Sequence, residues 1–345
     1  MSILFRIIPL AMGAICIAFG LYVRTMSIGS GYIVAGNVLM ALTAICIALF
    51  STAATIIRQL IGKFNRADRI FLPILGYAAG VITCICGIYL FTFGKITDDI
   101  VSGNVVFGVG LIACCVATVA ISSAKFIMIP QNSENLTYKD VPSDRYSNSR
   151  YYSYFSIPVI ATAIAWIYAY ILISRNTPPD FVSGHVMVGL GLVCASLIAL
   201  VGTVLRQVQN KFGRRERWTW SVFVGIMGSI CIIWGIAIMI PYSAVAVAPG
   251  FVLIGLGMIC YSISSKVILL ASVWRRNEPL ANRIPLIPVV TALSCLFLSA
   301  FLFETSYLNS NFFVPAHIMV GLGAVCFTLF AIVSILESGT SKKSE

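Results

Sequence analysis

The chain has 345 residues, of which 59% are apolar and 10% charged, whereas a soluble domain is nearer to a quarter charged, so a water-soluble fold is excluded. Its formal charge of +11 would suit a nucleic-acid partner, but the cations are sorted by topology and no nucleic-acid partner is expected. The apolar residues fall in runs long enough to cross a hydrocarbon core of about 30 Å as helices, and none alternates at period two as a membrane strand would.

Ten spans are predicted, at 4–23, 32–57, 70–94, 100–124, 154–174, 181–205, 218–241, 246–273, 285–304 and 312–336. The fold class is therefore all-α, a polytopic transmembrane bundle of five tandem helical hairpins. The first span follows a very short N-terminus and has no small-residue cleavage site behind it, so it reads as a retained span. Between the fourth and fifth spans, residues 131–153 are polar and rich in Ser, Asn and Tyr. They read as a linker between two membrane blocks, 1–130 and 154–345.

Placing both termini and the connections after even spans on one side gives that side all 23 cations except Arg24, Lys95 and Arg175. By the positive-inside rule that side is cytoplasmic. The sequon Asn135-Leu136-Thr137 then lies on the wrong side to be glycosylated. All 11 cysteines fall within spans, where they pack as small apolar residues; neither a disulfide framework nor a metal site is expected.

A common motif opens every even span. The third copy reads Val182-Ser183-Gly184-His185-Val186-Met187-Val188-Gly189-Leu190-Gly191, and the second Val101-Ser102-Gly103-Asn104 through Gly108-Val109-Gly110. The first is the looser Val34-Ala35-Gly36-Asn37, the fourth runs Ala248-Pro249-Gly250-Phe251 to Gly257, and the fifth Val314-Pro315-Ala316-His317 to Gly323. Odd spans carry an early proline, as at Pro9, Pro73, Pro158, Pro285 and Pro288, while the seventh has Trp218 and Trp220 instead. Two spans per unit give all five copies one orientation, unlike inverted-repeat transporters. A closed ring around a pathway and an irregular bundle both remain open.

His185 and His317, the only histidines, share one motif position with Asn37 and Asn104. Near the extracytoplasmic end of a helix, an imidazole can change charge on acidification, and Asp180 and Asp99 lie five residues before His185 and Asn104. The competing reading, which asparagine at two copies favours, is a polar first-turn position that satisfies hydrogen bonds. The motif glycines read as close-packing surfaces rather than ligand contacts.

Arg58, Lys125 and Arg206 each follow that motif position by 21 residues, about 31 Å along a helix, and read as interfacial anchors. Lys266 follows Phe251 by only 15, about 9 Å deeper. Snorkelling to the interface is the preferred account, and a functional intramembrane charge the rival. Glu304, at the outer end of the ninth span, is the matching acidic candidate. No HExxH, GxSxG or phosphate-cradle pattern is present, so an enzyme is not expected and no cofactor is implied.

The whole chain resembles the YhiM family of enteric bacterial inner-membrane proteins. The resemblance is densest in Gly257-Met258-Ile259-Cys260-Tyr261-Ser262-Ile263, Ser265-Lys266-Val267, Val273-Trp274-Arg275-Arg276, Asn282-Arg283-Ile284-Pro285 and Val320-Gly321-Leu322-Gly323-Ala324-Val325-Cys326. Asn37 and Asn104 stand where the family pattern leads one to expect histidine. The resemblance implies a multi-pass inner-membrane protein associated with survival and growth at low pH.

Two functions from different classes follow. One is a transporter or channel with proton-sensitive histidines and the glycine-rich even helices at its core. The other is a non-transporting scaffold or pH sensor acting through a membrane-protein partner. The bilayer is the expected partner in either case, and the transported species or ligand is unassigned.

Overall fold

The computed structural model describes residues 2–26, 31–60, 64–126, 148–208, 213–241, 244–273 and 286–341. Ten helices account for nearly all of them: α1 (Ser2–Met26), α2 (Tyr32–Leu60), α3 (Asp68–Phe93), α4 (Thr97–Phe126), α5 (Asn148–Ser174), α6 (Pro178–Val208), α7 (Arg214–Met239), α8 (Ala244–Val273), α9 (Leu286–Ser306) and α10 (Phe313–Ser341). Each contains a stretch long and apolar enough to cross a membrane, and each overlaps one predicted span, with ends that differ by up to six residues. Residues 131–147 of the predicted linker lie outside the described residues. Its last part, 148–153, instead forms the start of α5, because helical hydrogen bonding continues past the apolar run.

Burial separates two layers. In the apolar window of each odd helix 22 to 33% of residues are buried, against 56 to 89% in the even helices. The odd helices are therefore the outer shell, and residues such as Phe71, Ile82, Tyr89, Phe297 and Phe301 face outward, as suits lipid.

The even helices close on themselves. α2 packs on α4, α4 on α6, α6 on α8, α8 on α10, and α10 returns to α2. Each outer helix fills the groove between its own even helix and the even helix of the preceding hairpin; α1 does so between α2 and α10. The five hairpins thus form a ring rather than an irregular bundle. With ten helices of alternating direction both chain ends emerge on one face, called here the terminal face; the other is the far face.

Within a hairpin the two helices meet at backbone distance. A Cβ placed at Gly36 would come within 2.8 Å of the Gly20 carbonyl oxygen, and one at Gly20 within 2.8 Å of the Gly36 oxygen. Gly87 with Gly103, Gly80 with Gly110, Gly235 with Gly250 and Gly228 with Gly257 face each other in the same way, at 2.6 to 3.2 Å. In the last hairpin Ala316 replaces the motif glycine, and Ser299 Oγ donates to its carbonyl at 2.7 Å. Small residues allow this approach, which is a principal source of helix association in lipid.

Two turns at the terminal face are clamped alike. Arg58, near the end of α2, pairs with Asp68 at the start of α3, and the Asn65 backbone N–H donates to the same carboxylate at 3.1 Å. Arg206, near the end of α6, pairs with Glu216 in α7, its Nε donating at 3.0 Å, while the Gly213 N–H donates to Glu216 at 3.2 Å. Both arginines are part-exposed, which keeps each pair's contribution small.

Gly87→Ala is expected to destabilise the protein by about 1–3 kcal/mol, because its methyl would meet the Phe107 backbone nitrogen at 2.4 Å. Gly225, which has nothing within 4 Å of an added Cβ, should tolerate alanine. Thermal unfolding of the two variants in detergent, followed by helical circular dichroism, checks the contrast.

Candidate functional site

The axis of the ring is the one place toward which all five even helices turn the same face. Three or four steps along each helix, taken from a series spaced by three, four and three residues, line a slender cavity of about 30 Å³. This is the spacing of a coiled-coil seam. The first layer is Leu42, Leu190, Leu256 and Leu322, with Val109 at the same step of α4. The second is Ile45, Ile112, Val193, Ile259 and Val325, and the third Leu49, Val116, Leu197, Ile263 and Leu329. The fourth, nearest the terminal face, is Thr52, Val119, Leu200 and Lys266, with Ile332 at the same step of α10.

One contact recurs around the ring and sets its diameter. A Cβ at Gly108 would lie 2.5 Å from Leu190 Cδ1 and 2.7 Å from Met187 Sδ on the next even helix. Gly189 stands in the same relation to Leu253 and Leu256, and Gly255 to Met319 and Leu322. Gly321 on α10 completes the circuit against Leu39 and Leu42 on α2. At the matching step of α2 stands Ala41, and there the matching residues of α4 are Val106 and Val109, shorter than leucine or methionine. A larger residue on one side is met by smaller ones on the other.

Lys266 does not snorkel. Its residue is 4% exposed and lines the axial cavity, so the preferred sequence reading is corrected. The spacing Leu256, Ile259, Ile263, Lys266 puts it on the axial face of α8, and a side chain that points to the axis cannot also reach the interface around the outer shell. Depth along the helix left snorkelling and an intramembrane charge as rivals, and the helical face decides between them. Among the described residues no hydrogen bond or ion pair reaches its ammonium. Thr52, in the same layer, donates its hydroxyl to the Ala48 carbonyl at 3.0 Å.

The shared motif position lies off the axis, at the seams toward the outer helices. Asn37 Oδ1 accepts from Arg24 at 2.8 Å, and its amide donates to Ser102 Oγ on α4 at 3.0 Å. Asn104 accepts from the Tyr168 hydroxyl at 2.6 Å. His185 Nδ1 lies 2.8 Å from the Phe181 carbonyl oxygen, and its ring stacks toward Trp234 of α7 at 6.2 Å. His317 Nδ1 lies 2.8 Å from the Phe313 oxygen, with Phe19 of α1 at 5.5 Å and Phe303 of α9 at 4.6 Å. Asn104, His185 and His317 each meet an outer helix of an adjoining hairpin, whereas Asn37 reaches α1 of its own hairpin and α4 of the next, so the ring brings no two of the four together.

The acidic candidates do not join these histidines. Asp180 accepts from the Thr177 hydroxyl at 2.7 Å and its N–H donates back at 3.3 Å, a local cap for α6. The Asp99 carbonyl accepts from Ser102 Oγ at 3.2 Å. Glu304 is exposed on the outer shell, at the opposite end of the bundle from Lys266. Among the described residues no three of His, Cys, Asp and Glu are grouped to hold a metal ion.

A family model described as "Protein of unknown function (DUF2776)" matches residues 1–341. The chain is also 48% identical over 343 residues to the "Inner membrane protein YhiM" of Escherichia coli (strain K12), covering 99% of this chain and 98% of that protein. No solved structure matches. The chain belongs to this family, in keeping with the resemblance in its sequence.

An ammonium enclosed by aliphatic side chains costs stability. Lys266→Met, which fills similar space without the charge, is expected to stabilise the fold by about 1–3 kcal/mol. A rise in the midpoint of thermal unfolding, read by the reactivity of the buried thiols with a maleimide dye, checks this; an unchanged or lower midpoint contradicts it.

Proposed function

We propose that this member of the DUF2776 family is a channel-like, multi-pass protein of the inner membrane whose pathway is the axis of the five-helix ring. It is held shut by apolar layers and opens on external acid. The observation that carries this reading is the axial cavity itself, since parallel helices surround a void where a scaffold would have a packed centre. The first three layers of this void, lined by Leu, Ile and Val, stay dry. From the first layer to the fourth is ten residues, about 15 Å, and a dry apolar stretch of that length blocks ions and gates by dewetting.

Acid enters through the seams. A charge gained by His185 or His317 would arise between an even helix and the outer helix of an adjoining hairpin, among Trp234, Phe19, Phe303 and Phe313. Such a seam resists burying a charge, and loosening it lets the ring widen. The role in growth at low pH that the sequence resemblance implies agrees with this direction, as does a cytoplasmic placement of the basic terminal face. The wholly aliphatic upper layers favour a second reading, a non-transporting scaffold or pH sensor that signals through a partner.

Proteoliposomes enclosing a pH-sensitive dye separate the two. After a shift of the outer solution from about pH 7 to about pH 5, wild type should carry a flux absent from empty liposomes. Leu197→Ser, which wets the third layer, should leak several-fold more at neutral pH. The double variant His185→Asn, His317→Asn, with the residue found at positions 37 and 104, should fold but lose the acid response. If Leu197→Ser stays as tight as empty liposomes, the axis is not a pathway and the scaffold reading takes its place.

A further inference from the structure

We propose that the axial cavity binds an amphiphilic monoanion, a carboxylate with an aliphatic tail, whose head group pairs with Lys266 while its tail lies along the apolar layers toward the far face. The inference rests on the axis being the pathway and names the class of molecule that enters it.

Two features of the cavity select that chemistry. The first is a single lining cation that has no partner among the described residues. Lys266 is 4% exposed and lines the void, and its neighbours in the layer are Thr52, Val119, Leu200 and Ile332. The Thr52 hydroxyl is already committed to Ala48, so among the described lining residues Lys266 is the one with free donors to offer a ligand. Its three N–H groups match a carboxylate. A phosphate or a hydrated inorganic anion would leave oxygens or waters unmet among aliphatic side chains.

The second feature is direction. Lys266 sits at one end of the lined stretch, and the three layers beyond it are Leu, Ile and Val only. A bare anion would gain nothing from those layers, whereas an alkyl tail gains their dispersion contacts. The cavity, about 30 Å³, is narrower than such a tail, so occupancy turns the leucines aside and spreads the ring. The ligand therefore favours the wider form of the pathway that it occupies.

The test is equilibrium binding to the full chain in lipid nanodiscs, with empty nanodiscs subtracted, using carbon-14 octanoate and carbon-14 octanol as probes of equal tail and different charge. Wild type is expected to take up one octanoate per chain, at least about tenfold more tightly than octanol. Lys266→Met should bring octanoate down to the octanol level and leave octanol unchanged, while Lys266→Arg keeps part of the preference. Octanoate binding no tighter than octanol, or binding unaffected by Lys266→Met, overturns the proposal.

Competition by hexanoate or by palmitate then tells a weak acid drawn from water from a fatty acid drawn from the bilayer, and either supports the site. Lys266-dependent binding without flux in the liposome assay keeps the site and removes the pathway. Flux without such binding removes the site and keeps the pathway.

Discussion

An apolar side chain gains almost nothing by leaving lipid for the surface of another helix, so the association of these helices depends on how closely their backbones can approach. Facing glycines supply that approach in three of the five hairpins, as with Gly36 and Gly20 or Gly250 and Gly235. In the last hairpin Ser299 and Ala316 do the same with a hydrogen bond. In the third, Gly184 meets Ile173 instead. Everything else in the architecture, including the ring, is built on hairpins closed in this way.

The ring adds a second constraint, because five parallel helices that touch side by side leave a space on their axis. Leucine and methionine from one helix lie over a glycine of the next, which draws the helices together until the space is slender. Aliphatic residues at coiled-coil spacing fill most of what remains. Their regularity makes the exception at Lys266 informative, since a lysine can be accommodated on such an axis only at a cost in stability, and proteins commonly spend stability where function requires a strained group.

Polar residues are distributed by the same geometry. The axis carries Lys266 and Thr52, while the motif histidines and asparagines lie at the seams between hairpins. Asn37 bridges Arg24 on α1 and Ser102 on α4, holding three helices with one amide. His317 holds its place by ring stacking among Phe19, Phe303 and Phe313. A seam of this kind ties the outer shell to the ring near the far face.

The number and type of the spans were legible in the sequence, because hydropathy is a local property and a bilayer demands long apolar helices; their ends were not, since helices such as α5 continue past the apolar run. The shared motif at the start of even spans was legible too, as an alignment of the chain with itself. Closure of the ring was not, since it depends on contacts such as Gly321 with Leu39 and Leu42, between residues from opposite ends of the chain. Nor was the placement of Lys266, which distance along α8 set about 9 Å inside the interface and which its helical face turns to the axis. Local hydropathy is enough to make the chain ten membrane helices, whereas the face that each helix turns to lipid, a neighbour or the axis follows from the packing of all five hairpins at once, which no single stretch of sequence encodes.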